Sequence, residues 1–344
     1  MSARLFDDRR YPRTSFARFV VDPEKCNACR KCVDTCPGQL LKLVDDVPVN
    51  RHETGESALG CIGCKNCFAV CPEGAIDVRG QYRVEEGYYR TTLGAPAFPN
   101  PFGDPEAPPF EELAPKLTPV ERVIYQRRSV RLFKKKAVPE AILRRVVEAG
   151  RFAPSQGNCQ PWRFVVITDR ALLDRIGEEC GRRVAPVAGM YVRSGGGALR
   201  ERLKTLAVNA LSRLTPNNFD QRLAHGIDTV ANDERWDMFL HAPALILVLG
   251  DKRGIGEPLI DCMLAAHNVV LAAHSLELGT CYVGFVKMIE TLPELKRDLG
   301  IEWPFKVMTS IAVGWPRTRA DRAVARERPR VTWFPADRSG PREE

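Results

Sequence analysis

Twelve cysteines occur in the chain, and eight of them fall into two runs. Cys26, Cys29, Cys32 and Cys36 precede Pro37, and Cys61, Cys64, Cys67 and Cys71 precede Pro72, so both runs read C-x2-C-x2-C-x3-C-P. Three thiolates at two-residue spacing can wrap one face of a compact iron–sulfur cubane. The fourth, followed by proline, points away from that cubane and reaches a second one. The spacing therefore predicts crossed ligation: Cys26, Cys29, Cys32 and Cys71 around one 4Fe–4S cluster, and Cys61, Cys64, Cys67 and Cys36 around another. Structural zinc is the competing reading. It usually pairs two C-x2-C units at a distance and has no use for the third cysteine and the x3-C-P tail.

The compartment argues the same way. Residues Met1 to Arg18 alternate charged and aromatic side chains without an apolar centre, which is not a secretory signal. A cytoplasmic location is expected, where ordered thiols do metal or redox work and disulfides are disfavoured. No run of eighteen apolar residues predicts a membrane helix. The net charge of +8 lies mostly beyond the first ninety residues. It suits an anionic cofactor or an acidic redox partner, and equally a plain basic surface. No DNA-binding or RNA-binding signature is present, so nucleic acid is excluded as a partner.

A second chemical stretch is Arg127-Arg128-Ser129-Val130-Arg131-Leu132-Phe133. Arginine forks, a hydroxyl and backbone N–H groups are the donors a phosphate needs. Alone, the run reads equally well as a solvated basic face. Its context is Ala153-Pro154-Ser155-Gln156-Gly157-Asn158-Cys159-Gln160-Pro161-Trp162, a turn leading into Phe164-Val165-Val166.

Residues 22 to 78 resemble a bacterial-type two-cluster ferredoxin. The two stretches just quoted, with Gly279-Thr280-Cys281-Tyr282-Val283-Gly284-Phe285 and Val313-Gly314-Trp315-Pro316, resemble the nitroreductase family over about residues 118 to 334. That resemblance implies FMN. It would place Arg127, Arg128 and Ser129 at the phosphate and ribityl end, with Arg131 close by. Pro154, Ser155 and Asn158 would line the flavin, Gln160 would support their turn, and the backbone of Val283 and Gly284 would approach the ring. Arg326 and Arg328 would match the family's C-terminal basic residues. It further implies a homodimer and a small electron-poor acceptor, either nitroaromatic or quinone-like. NAD(P)H or a ferredoxin-type protein would be the electron donor. No acid, base or nucleophile is named, because the flavin carries the chemistry. His225, His241, His267 and His274 read as packing or surface residues, and Cys159, Cys180, Cys262 and Cys281 as small hydrophobes.

Two other readings stay open: a non-catalytic electron relay, and a specialised enzyme of the same fold such as a benzimidazole synthase or a dehalogenase.

The elements that must hold these residues follow from patterning. Residues 19–90 are expected to form the cluster-binding domain, with short strands at Leu40–Val44 and Ala75–Val78. Residues 91–117 are a proline-rich linker, expected to be extended and without regular helix. Residues 118–334 are expected to form an α+β sheet-and-helix domain, and 335–344 a tail. Thr118-Pro119-Val120-Glu121 carries a capping box, and Val120, Val123 and Ile124 form an apolar face behind it. Ile142 to Phe152 has helical spacing, and Asp169 can cap the next helix. Strands are expected at Phe164–Ile167, Ala244–Leu249, Cys281–Val286 and Lys306–Val313, with a buried helix over Pro258–Leu278. Residues 182–237 are a candidate lid or insertion, with a joint at Gly195-Gly196-Gly197. The arginine-rich tail from Trp315 is expected to be irregular.

Overall fold

A computed structural model describes residues 13–84, 96–191, 198–214, 220–232, 236–318, 322–336 and 340–343. The joint at Gly195-Gly196-Gly197 and residues 1–12 of the amino-terminal stretch lie outside the described residues.

The cysteine runs fold as two copies of one unit, 35 residues apart. Each loop turns through left-handed backbone at equivalent positions. Ala28 and Arg30 have φ of 53° and 62°, and Gly63 and Lys65 have 67° and 56°. Each then enters a short helix, α1 (Lys31–Thr35) or α2 (Asn66–Val70). Strand β1 (Arg18–Val21) pairs antiparallel with β4 (Ile76–Arg79), and β2 (Leu41–Val44) with β3 (Val47–Asn50). Asp45 and Asp46, at φ 48° and 62°, close the β2–β3 hairpin, since a two-residue turn must follow the strands' twist. Phe19, Leu41, Ile76 and Val78 pack directly against Cys32, Cys67 and Cys71. The apolar interior of this unit is small, and the cysteines are part of it.

The connector departs from expectation. Its prolines keep most of it extended, but the FEEL stretch forms one helical turn, α3 (Phe110–Leu113), because no proline interrupts it. Phe110, Leu113 and Leu117 are buried with Ala323. Pro96–Ala97 pairs with Arg326–Glu327. Both contacts fasten the connector to the C-terminal segment, which is accordingly less irregular than its arginine content suggests.

Helix α4 (Pro119–Gln126) begins on the expected capping box: Thr118 Oγ1 accepts from Glu121 N at 3.3 Å, and Glu121 Oε2 accepts from Thr118 N at 2.8 Å. Helix α5 (Glu140–Arg151) buries Leu143 and Val146, whereas Phe152 lies past its end and is exposed. There follow β5 (Trp162–Ile167), α6 (Arg170–Tyr191), α7 (Ala198–Leu214), α8 (Gln221–Asn232), β6 (Ala244–Asp251), α9 (Pro258–Ser275), β7 (Gly279–Tyr282), α10 (Pro293–Asp298) and β8 (Phe305–Gly314). The strands form one antiparallel sheet in the order β7–β8–β6–β5.

Leu245, Leu247 and Leu249 of β6 pack toward α6 and α10, while Ala244, Ile246 and Val248 pack toward α5 and α9. A central strand covered on both faces has no polar side to show, which is why its sequence reads as an unbroken apolar run. β7 stops at Tyr282, not Val286. Gly284 takes helical angles and a 3₁₀ helix starts at Phe285. α9 stops at Ser275, and Glu277 reverses the chain at φ 65°. α9 is not buried all round: Leu259, Ile260, Met263 and Leu264 face outward, as do Val120 and Ile124 of α4.

Among the described residues, no helix is long and apolar enough to cross a membrane.

Candidate cofactor sites

Two cavities open in the cysteine-rich unit. One is lined by Cys26, Cys29, Cys32 and Cys71. The other is lined by Cys36, Cys61, Cys64 and Cys67. Each draws three cysteines from one run and the fourth from the other. The repeat extends to the sulfur environment: Leu40 N lies 3.4 Å from Cys36 Sγ, and Ala75 N lies 3.3 Å from Cys71 Sγ.

Burial pushes the Cys32 and Cys61 thiols up to about 11 and the Cys67 thiol well above its ordinary value. As bare thiols these groups resist ionisation, so whatever binds them must itself stabilise thiolate charge, as iron does. No group of three or more His, Cys, Asp or Glu among the described residues is gathered closely enough for a single metal ion. Sulfurs standing around a cavity fit a larger, multinuclear centre.

The arginine run lies at the sheet edge. Ser129 bridges Thr280 in parallel, and Val130 N donates to Thr280 O at 2.8 Å. Gly279 permits this approach, because a Cβ there would fall 2.7 Å from Val130 Cβ. Arg127 is half-buried, and burial together with the charge of Arg326 holds its guanidinium below the usual value. Arg128 is only 8% exposed. Burial first, then Arg326, lowers it to about 10, with Arg127 and Arg131 adding like charge. Its Nε and Nη1 are buried without a partner. Unmet buried donors cost about 1–3 kcal/mol each. Three further arginines acting on a guanidinium with two such donors fit an oxyanion such as a phosphate. Arg131 itself donates to Ser129 O at 3.4 Å.

Val283 and Gly284 follow β7. Val283 N donates to Ser310 O at 3.1 Å and Ser310 Oγ donates to Val283 O at 3.0 Å, which fixes this backbone. A Cβ on Gly284 would meet nothing within 4 Å, so open space lies beside it, as a planar ring would require.

The 154–160 turn is elsewhere. Asp261, buried near the start of α9, accepts from Gln156 N at 3.3 Å. Gln160 N donates to Ser155 Oγ at 3.0 Å, and Gln160 Nε2 donates to Asn158 Oδ1 at 3.1 Å. Pro154, Asn158 and Gln160 are exposed. Arg127 acts instead on His267, six residues further along the same helix, or about 9 Å at 1.5 Å per residue. Between Asp261 and His267 on α9, Met263 and Leu264 face outward. Arg326 comes to the arginine loop, while the Arg328 side chain is exposed.

Several contacts lay beyond sequence reasoning. Arg128 Nη2 reaches across to the cysteine-rich unit, donating to Cys64 O and, at 2.7 Å, to Asn66 Oδ1. Tyr82 OH donates to Asp220 Oδ1 at 3.2 Å, and Arg222 stacks 4.3 Å over the Tyr82 ring. His225 Nε2 is 3.0 Å from Gly38 O. The second cavity thus faces the sheet-and-helix unit, while Cys29 of the first is exposed. Part of the segment read as a lid or insertion, α8 and the residue before it, grips the cysteine-rich unit.

A protein-family model described as the nitroreductase family matches residues 124–315, and one described as a 4Fe-4S dicluster domain matches residues 25–76. The chain is 34% identical over 70 residues to ketoisovalerate oxidoreductase subunit VorC of Methanothermobacter marburgensis, covering 20% of this chain and 87% of that one. It is 28% identical over 200 residues to 5,6-dimethylbenzimidazole synthase of Rhodospirillum rubrum, covering 56% and 79%. A solved nitroreductase with bound FMN from Bacteroides fragilis aligns over 58% of this chain and 89% of its own, at 25% identity and a TM-score of 0.43.

Proposed function

The chain belongs to the nitroreductase family, with a two-cluster ferredoxin unit ahead of it, and we propose that it carries electrons from two 4Fe–4S clusters to FMN and on to a small electron-poor organic acceptor. The bound groups would supply one-electron carriers and a flavin that passes electrons to an organic substrate. The protein's part is to hold and order them. Cys26, Cys29, Cys32 and Cys71 would hold the outer cluster, and Cys36, Cys61, Cys64 and Cys67 the inner one.

The observation that carries this reading is the position of the inner cavity. Its Cys64 carbonyl bonds the same arginine loop that presents unmet donors to an anion. Arg127, Arg128, Ser129 and Arg326 would take the flavin phosphate, with Arg131 beside them, and Val283 and Gly284 would back the ring. The outward apolar residues of α4 and α9 suit a second copy of the chain, and Pro154, Ser155, Asn158 and Gln160 border that strip. Nitroaromatic and quinone-like compounds are the acceptors the family membership favours. NAD(P)H remains a second donor to test.

Anaerobic stopped-flow reduction with reduced ferredoxin, and with NADH and NADPH in parallel, compares the intact protein with Cys61→Ser. Loss of ferredoxin-driven flavin reduction in the variant supports the chain of carriers. Equal rates in both proteins would sink it. Turnover of nitroaromatic and quinone probes then separates an enzyme from a relay, and product analysis separates it from a flavin-cleaving or dehalogenating relative.

A further inference from the structure

We propose that Arg128 couples the two cofactor sites, so that flavin binding in one unit and the inner cluster loop in the other are thermodynamically linked. The proposal rests on the reading above and deepens it.

A guanidinium presents five N–H donors in a fixed planar fork. In Arg128 that fork is divided. Nη2 is committed to the ferredoxin unit, where the Cys64 carbonyl and Asn66 Oδ1 accept from it. Nε and Nη1 are buried and have no partner. They belong to the group on which Arg326, Arg127 and Arg131 also act. Asn66 is itself buried, so its amide cannot turn to water without cost. Nε and Nη1 lie on different edges of the guanidinium, and a phosphate that engages either one fixes the plane of the fork. The same plane sets the direction of the bonds to Cys64 O and Asn66 Oδ1. Cys64 is a proposed cluster ligand, and its carbonyl is the one that meets the arginine loop. The linkage is reciprocal: whatever the flavin does to the inner cluster, the state of that loop does to flavin affinity.

The test uses the holoprotein and a readout other than turnover. First, iron and flavin contents are measured. A chain lacking about eight iron atoms, or one that binds no FMN, removes both the functional reading and this inference. Given both cofactors, the electron paramagnetic resonance spectrum and redox titration of the reduced clusters are recorded with and without FMN. One of the two cluster signals should change on removing the flavin, and Arg128→Met should abolish that change while retaining the iron.

Independently, FMN affinity is measured by flavin fluorescence in Asn66→Ala and Arg128→Met. Asn66→Ala lies in the other unit and is not a proposed ligand. It should nonetheless weaken FMN several-fold. Arg128→Met should weaken it by about tenfold or more, and the double variant no further than Arg128→Met alone. Cluster signals indifferent to FMN in the wild type, or Asn66→Ala and Arg128→Met effects that simply add, would overturn the coupling and leave the functional reading standing.

Discussion

Arg127 and Gly279 illustrate two ways a single residue serves this site. Arg127 supplies charge from a half-buried position where burial and Arg326 already oppose its ionisation. A phosphate relieves that opposition, so Arg127→Ala should weaken FMN by about ten- to a hundredfold, given 1.5–3 kcal/mol for a charged hydrogen bond. Flavin release on dilution measures it. Gly279 supplies absence: a methyl there would meet Val130 at 2.7 Å, where the arginine loop joins the sheet. Gly279→Ala should cost about 1–3 kcal/mol, the range for forced overpacking, in a denaturant titration. It should also loosen flavin, although the residue is not placed among its ligands. A loss of stability without any change in flavin affinity would detach the loop's register from its function.

Two elements act as joints. Around α8, Asp220 is buried between Tyr82 and Arg222, and His225 meets the Gly38 carbonyl. Arg222→Ala strips a buried carboxylate of its cation and should cost about 1–3 kcal/mol in thermal unfolding. Burial holds the His225 pKa below its ordinary 6.5, opposed by the Gly38 bond and by Asp228. A depressed histidine contributes stability that is complete above the unfolded value, about 6.5, and is lost as pH falls through the lower folded value. Docking of the ferredoxin unit should therefore weaken in mild acid. Hydrogen exchange in the Gly38 loop at pH 5 against pH 7.5 reads it, and His225→Gln should flatten the difference. The other, proposed as the contact with a second copy, is the strip on α4 and α9. Placing a charge on it with Ile124→Glu and Leu264→Glu should give monomers by sedimentation. If the double variant stays dimeric, the second copy docks elsewhere.

For the molecule as a whole, the order of sites runs from an exposed outer cavity, through an inner one, to the arginine loop. The ferredoxin unit buries few apolar side chains, and its cysteines lie among them. Removing iron with a chelator should therefore melt that unit and release its grip on α8, whereas the four-stranded sheet, with core on both faces, should remain folded. Calorimetry before and after chelation should lose a lower transition and keep a higher one.

The cysteine spacing alone determined which residues could share a cluster, because iron–sulfur chemistry demands sulfurs at fixed separations and two-residue loops deliver them. Capping, helical spacing and an unbroken apolar run likewise determined α4, α5 and the central strand of the sheet, since those signals act within a few residues. The end of β7 was not legible: Val283 continues the apolar pattern and still bonds Ser310 of the neighbouring strand, and the chain takes helical angles only at Gly284. The direction of Arg128 was equally hidden, since its bonds to Cys64 and Asn66 span more than sixty positions. The role of 182–237 was hidden too, because α8 takes its meaning from Tyr82 and Gly38 in the other unit. Local chemistry thus chose the cysteines that line each cavity, and only long-range packing decided which cavity faces the arginine loop.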